Sequence, residues 1–181
     1  MANEHGITIP VYLDEKTFKR FASFDMLRLR KRWVRPAMFA LLLVIFGVIA
    51  LWSHKPQSGL IAAVLFVVGL GLPLVYFGFF FSQVNMQALE RKLGNGRKVY
   101  TVHLDVSGIT VVNNQKNEEP LTVGWQKIHQ AFRVTGCTYL YVNPERAFLL
   151  PDGQADTSDE EVWQYLVNRM GKEKCKNNRR K

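Results

Sequence analysis

An almost uncharged block limits what this chain can fold into more than any other feature of its sequence. The block consists of two apolar runs, 36–53 and 59–81, with the linker 54–58 between them, and its only formally charged side chain is Lys55. As helices the runs are roughly 27 Å and 35 Å long, about the hydrocarbon thickness of a bilayer. Both runs are apolar on every side, which in a chain of 181 residues favours contact with lipid. Because the linker has room only for a turn, the sequence predicts a hairpin of two transmembrane helices.

A cleaved signal peptide is the alternative interpretation of the first run, and the flanking sequence disfavours it. Many charged residues precede the run, and no cleavage site with small residues follows it. The remainder of the chain is polar but rich in aromatic and β-branched residues, which excludes a disordered protein. Two cysteines are too few for a disulfide-rich secreted scaffold.

Basic residues flank the predicted hairpin at its two outer ends. Within a net charge of +9, one cluster precedes the first run: Arg28, Arg30, Lys31, Arg32 and Arg35. A second cluster follows the second run: Arg91, Lys92, Arg97 and Lys98. By the positive-inside rule both termini are cytoplasmic and the turn is external. The predicted order begins with a cytoplasmic strand and helix (1–35), the first span (36–53), an external turn (54–58) and the second span (59–81). A cytoplasmic domain (82–171) and a basic disordered tail (172–181) follow.

The first basic cluster has two interpretations. Basic side chains close to the inner leaflet attract anionic headgroups, at about 1 kcal/mol per residue. The cluster therefore provides candidate contacts with membrane lipids: Arg28, Arg30, Lys31, Arg32 and Arg35. Alternatively, these basic residues only fix the topology of the hairpin, and their presence then needs no specific recognition of lipid.

Small residues on the second run are candidates for helix packing. Ala62 and Gly69 are seven positions apart, as are Gly71 and Gly78, and small residues let another helix approach closely. The partner is either the first helix of the same chain, which we favour, or a second copy in a homo-oligomer. No Asp, Glu, Lys, Arg or His lies deep within either run, which argues against a transporter or pump.

The N-terminal arm combines a short strand with a helix. Ile7–Leu13 is rich in β-branched residues, and Pro10 favours an edge strand because it has no backbone N–H to donate. Asp14 can cap the helix that follows. The large apolar side chains of this helix are expected near one face: Phe18, Phe21 and Leu27.

The segment 82–171 predicts an α+β domain. A polar helix leaves the second run and ends at Gly94-Asn95-Gly96, after which apolar and polar residues alternate in about six short strands at hairpin spacing. The last helix begins with the spacing of a capping box, Ser158 or Thr157 followed by Glu161 or Glu160. It carries one apolar stripe and a stop glycine: Trp163, Leu166, Val167, Met170 and Gly171. Meandering strands and one C-terminal helix are the order of PH-like domains, in which the helix caps a bent antiparallel sheet.

The tail 172–181 is predicted to be disordered because Glu173 is its only acidic residue among many basic ones. A solvated tail is the simplest interpretation, and electrostatic attachment to the membrane surface is the functional one. Nucleic acid is disfavoured as a partner because the tail has no aromatic residue to stack on bases.

Several of these features together resemble one family. After an N-terminal strand and helix and two adjacent spans, the β region contains Trp125-x-x-Ile128, Tyr139-Leu-Tyr141 and Ala147-Phe-Leu-Leu-Pro151. This order resembles the YcxB-like family of bacterial membrane proteins, whose cytoplasmic C-terminal domain is PH-like. The resemblance implies a multi-pass protein of the bacterial inner membrane and supplies no catalytic residue. Many members have basic residues directly after the proline, whereas this chain has Asp152-Gly153, which weakens a phosphate-binding role at that edge.

Residues that could carry chemistry are isolated in the sequence. The histidines have no metal-ligand spacing: His5, His54, His103 and His129. Cys137 has no basic neighbour in the sequence to activate its thiol. Asp159-Glu160-Glu161 is a carboxylate cluster, but acidic residues are ordinary in the first turn of a helix. We therefore expect no catalytic residue, no metal and no cofactor.

The sequence predicts a membrane-tethered binding or regulatory module on the cytoplasmic face, with a peptide, a protein or a lipid headgroup as its ligand. Membrane lipids and a protein partner are the expected partners. The alternative is a structural or accessory subunit of a membrane complex that acts through its transmembrane hairpin. An unrecognised enzyme is a third hypothesis, which a cavity lined by converging polar groups would favour.

Overall fold

Two compact units divide the chain. The β unit contains the chain up to Phe18 and from Lys92 onward, and the helical unit contains residues 19–91. The N-terminal arm thus contributes to the β unit, which the sequence-based boundary at Ser82 did not anticipate. The computed structural model describes five stretches of the chain: 6–31, 33–53, 55–94, 96–113 and 119–179.

The elements of both units follow a simple order along the chain. The helices and strands are β1 (Ile7–Leu13), α1 (Glu15–Phe24), α2 (Val34–Trp52), α3 (Ser58–Glu90), β2 (Arg97–Leu104), β3 (Gly108–Asn113), β4 (Leu121–Gly124), β5 (Gln130–Val134), β6 (Cys137–Tyr141), β7 (Ala147–Pro151), α4 (Asp159–Met170) and β8 (Cys175–Asn177). A π-helical segment, Asp25–Leu29, follows α1, and a 3₁₀ turn, Trp125–Lys127, follows β4. The predicted strand of the N-terminal arm, the short strands of the β region and the final helix are confirmed.

The first sheet of the β unit is antiparallel, with the order β1-β2-β3-β4. Every second residue of β1, from Ile7 to Leu13, is buried, as expected for a strand with one face on a core. Pro10 lies in this edge strand, as predicted. Gly108 begins β3 where a Cβ atom would lie 2.3 Å from the carbonyl oxygen of Val123, so only glycine can occupy the position.

The second sheet has the order β7-β6-β5-β8, and β8 pairs with β5 in parallel. The prediction of a disordered tail is therefore wrong for Cys175–Asn177. The reason is a set of tertiary bonds that a charge count does not reveal. Lys174 Nζ donates hydrogen bonds to the carbonyl oxygens of Gln126, at 3.2 Å, and Ile128, at 3.0 Å. Arg180 and Lys181 lie outside the described residues.

The helix α4 begins with the predicted capping box. The Ser158 hydroxyl accepts a hydrogen bond from Glu161 N at 3.3 Å, and the Glu161 carboxylate accepts one from Ser158 N at 3.4 Å. Val162 is buried in the apolar stripe of this helix, whereas the sequence predicted Val167 as a member of the stripe. The other buried residues of the stripe are as predicted: Trp163, Leu166 and Met170.

A tyrosine on β2 joins the two sheets. The Tyr100 hydroxyl donates to the Leu149 carbonyl oxygen at 3.1 Å and accepts from the Leu149 N–H at 2.8 Å. The Tyr100 ring also makes an edge contact with Phe148 on β7. These bonds join the two sheets, which belong to the same compact unit as α4.

In the helical unit α2 and α3 pack against each other. The helix α3 continues without interruption from the apolar run to Glu90, with Pro73 inside it. The predicted polar exit helix is therefore the last part of α3, and it ends before the expected stop at Gly94. Lys92, directly after it, has a left-handed backbone with φ of 53°.

Both long helices are long and apolar enough to cross a membrane. A core helix of a soluble protein is mostly buried, whereas only 6% of the apolar window of α2 and 11% of that of α3 are buried. The hairpin is also inserted between β1 and β2, two neighbouring strands of one sheet.

Candidate functional site

The first basic cluster extends from the π-helical segment, which contains Arg28, into the first turn of α2, which contains Arg35. Arg28, Lys31 and Arg35 are exposed, whereas Arg30 forms an ion pair with Asp25, with 3.0 Å between Nε and Oδ2. Arg32 lies outside the described residues. Three of the predicted lipid contacts are therefore on the surface, and the charge of Arg30 is partly balanced by its neighbour.

The π-helical segment explains why the apolar face of the arm differs from the prediction. Met26 is buried and Leu27 is exposed, although Leu27 was expected near the same face as Phe18 and Phe21. A π-helix has a wider turn than an α-helix because its hydrogen bonds join residues five apart, so the residue that continues the buried face of α1 changes at this segment. The segment ends with Arg30 N donating to the Asp25 carbonyl oxygen at 2.9 Å.

Asp14 caps α1 as predicted. Its Oδ1 accepts a hydrogen bond from Thr17 N at 2.9 Å. Hydrogen bonds from Thr17 hold the pKa of the Asp14 carboxyl below its usual range. The cap is one of the few features of the arm that the sequence located to the residue.

The small residues of α3 have two different environments. A Cβ atom on Gly69 would lie 3.2 Å from Leu43 Cβ and 3.3 Å from the Ala40 carbonyl oxygen, so this glycine faces α2. Ala62, seven residues earlier, is buried. A Cβ atom on Gly71 or Gly78 would meet nothing within 4 Å. The packing within the chain thus uses Gly69, and the other two glycines are open in the described structure.

The outer edge of β1 is occupied by the loop after β7. The side-chain amide of Gln154 accepts from Tyr12 N at 2.8 Å and donates to the Tyr12 carbonyl oxygen at 3.0 Å. Asp156 bonds Thr8 in the same way, with its carboxylate accepting from Thr8 N at 3.0 Å and its N–H donating to Thr8 O at 3.2 Å. Pro10 between them has no N–H. A peptide strand therefore cannot add to this edge without displacing the loop.

A buried arginine ties β5 to the start of α4. The Arg133 side chain is only 4% exposed, and its NH1 donates to Glu160 Oε2 at 2.7 Å. The guanidinium also lies over the Trp163 ring, 5.7 Å from its centroid. Hydrogen bonds from Gln164 and Arg133 lower the pKa of Glu160. Glu160, one member of the predicted carboxylate cluster, thus has a structural role. No motif in the sequence indicated that Arg133 is its partner.

The two cysteine thiols lie in environments that disfavour the nucleophilic thiolate. Burial raises the pKa of the Cys137 thiol to about 12 and that of Cys175 to about 11. His103 Nδ1 lies 3.1 Å from Thr8 Oγ1 on the neighbouring strand, so this histidine is part of the sheet surface. Across the described stretches, no group of three His, Cys, Asp or Glu side chains could hold a metal ion.

The surface of the β unit offers little apolar area. Among its described residues, the large apolar side chains that are exposed are Tyr12 and Val106. Comparison of the chain with protein-family models, with curated proteins and with solved structures finds no match.

Proposed function

We propose that this chain is a bacterial inner-membrane protein in which the β unit is a binding or regulatory module on the cytoplasmic face. The observation that carries the proposal is the insertion of an apolar hairpin, with few buried residues, between two paired strands of the β unit. Such a unit is joined to the membrane at two points rather than one. Its role is binding rather than catalysis.

The pairing of β1 with β2 supports the topology. Because these strands precede and follow the hairpin and lie in one sheet, their pairing favours a topology in which both ends of the hairpin are on the same side of the membrane. The basic residues at those two ends assign that side to the cytoplasm, and only Lys55 lies in the turn. Strand pairing thus supports a common side for the two ends, and the charge distribution supports the cytoplasm as that side.

The strand order is compatible with the PH-like fold that we propose, and the proposed membership of the YcxB-like family rests on the resemblance of the sequence. A four-stranded antiparallel sheet is followed by three antiparallel strands and then by α4. Two features go beyond that order: the hairpin between β1 and β2, and the added strand β8. The ligand class we propose is polar, because the described surface of the β unit exposes few large apolar side chains.

Photo-crosslinking in native membranes tests the proposal. A benzophenone amino acid at Lys127 or Glu145 probes the β unit, and one at Leu74, which is 74% exposed, probes the hairpin. We expect a defined adduct with protein or lipid from the β-unit positions and lipid adducts alone from Leu74. Protein adducts from the hairpin and none from the β unit would contradict the proposal.

The second candidate function is an accessory subunit that acts through the hairpin. The open positions Gly71 and Gly78 favour it, since another helix could approach there. Protein adducts obtained at Leu74 and abolished by Gly78→Leu would support this function instead.

A further inference from the structure

We propose that the β unit binds anionic lipid headgroups through a basic edge built by its C-terminal segment. This inference rests on the proposed function, because it needs the hairpin to hold the unit near a bilayer. The basic edge consists of five side chains at one end of the unit: Lys127, Arg169, Lys172, Lys174 and Lys176.

Hydrogen bonds of Lys174 join the C-terminal segment to the 3₁₀ turn and to β5. Lys174 Nζ donates to the Gln126 and Ile128 carbonyl oxygens on either side of Lys127. The Ala131 N–H donates to the Lys174 carbonyl oxygen at 2.9 Å. Lys174 is thereby fixed beside the 3₁₀ turn, and Lys176 lies in β8, the outer strand of the second sheet.

Aromatic rings hold two more cations of the basic edge in place. The Arg169 guanidinium lies 5.2 Å from the centroid of the Tyr165 ring, which itself makes an edge contact with Trp125. Lys176 Nζ lies 5.6 Å from the centroid of the Phe132 ring. Cations that are already positioned lose less conformational entropy when they bind an anion.

The charges of the β unit are separated between the two ends of α4. Glu173 is the one carboxylate within the C-terminal segment 172–179. Five carboxylates of the unit lie instead around the start of α4: Asp152, Asp156, Asp159, Glu160 and Glu161. Arg179, at the far end of the segment, pairs with Asp152 there. The basic edge is therefore not neutralised by the acidic end of the same unit.

The membrane is the anionic surface that the chain itself places within reach. Residues 91–96 connect α3 to β2 and span at most roughly 20 Å, and a unit of this length is roughly 35 Å across. Each basic side chain near an anionic surface strengthens attachment about fivefold. An acidic protein segment would need a separate encounter, so we assign the basic edge to the lipid.

Amide hydrogen exchange on the full chain in lipid nanodiscs tests this assignment. The exchange of residues 172–178 is compared between neutral phosphatidylcholine and mixtures containing anionic phosphatidylglycerol, with the turn 143–147 of the same unit as internal reference. We expect anionic lipid to slow exchange in 172–178 about fivefold or more and to leave the turn unchanged. High salt should remove the effect because it screens exposed charges.

Matched charge reversals complete the test. Lys172→Glu, which reverses one of the five charges of the basic edge, should clearly reduce the lipid-dependent slowing, whereas Arg146→Glu, an equal charge change in the β6–β7 turn, should preserve it. Equal slowing in both lipids, equal loss in both variants, or slowing by poly-glutamate but not by lipid would overturn the inference. A chain that fails to enter nanodiscs at all would instead overturn the proposed function.

Discussion

Replacing Gly69 by leucine should weaken the contact between α2 and α3, and the same replacement at Gly78 should not. At Gly69 even a Cβ atom would lie 3.2 Å from Leu43 Cβ, 3.3 Å from Ala40 O and 3.4 Å from Val44 Cγ2. The larger side chain must push the helices apart, and overpacking of this kind costs about 1–3 kcal/mol. At Gly78 a Cβ atom has open space around it.

The two variants share the added side chain and the gain in helix propensity, so their difference isolates the packing between helices. Unfolding of the purified chain by sodium dodecyl sulfate in mixed micelles, followed by circular dichroism, measures that difference. We expect Gly69→Leu to unfold with a free energy about 1–3 kcal/mol lower than that of Gly78→Leu. Equal stabilities, or a larger loss for Gly78→Leu, would refute the reasoning.

Three further predictions concern the β unit. Tyr100→Phe leaves the buried N–H and carbonyl of Leu149 without their shared partner, so urea unfolding should show a loss of about 1–3 kcal/mol; a comparable loss in the exposed control Tyr12→Phe would contradict this. The pKa of Glu160 lies below its ordinary value of 4.5 in the folded state. Its stabilising effect is therefore complete above pH 4.5 and is lost as the pH falls through the folded pKa. Glu160→Gln should reduce the dependence of the free energy of unfolding on pH in the acid range, and an unchanged dependence would contradict this prediction. The raised pKa of Cys175, about 11, predicts slow maleimide labelling of the native chain at neutral pH and rapid labelling in denaturant; fast native labelling would show that β8 is not formed.

The features that the sequence predicted well depend on neighbours along the chain. The cap of α1 by Asp14 and the capping box at Ser158 each involve residues three positions apart. The strand Ile7–Leu13 was recognisable from its composition, and Pro10 correctly marked it as an edge strand. Such local rules need no knowledge of the fold.

The features that the sequence missed depend on partners far away in the chain. Cys175–Asn177 is basic and polar, yet it forms a strand because β5 offers an open edge and Lys174 reaches two carbonyls. Gln154 occupies the outer edge of β1 although it is separated from that strand by most of the length of the chain. Gly69 and Gly78 looked equivalent by spacing, but only contact with α2 distinguishes them.

The central claim is that the hairpin crosses the membrane with its turn outside and the β unit in the cytoplasm. Single cysteines at Lys55 and Glu145, in a chain whose native cysteines are replaced, can be labelled in bacterial cells with a membrane-impermeant maleimide. Lys55→Cys should react in intact cells, and Glu145→Cys should react only after the membrane is opened. Labelling of both positions from the same side, or a chain that does not sediment with membranes, would contradict the account.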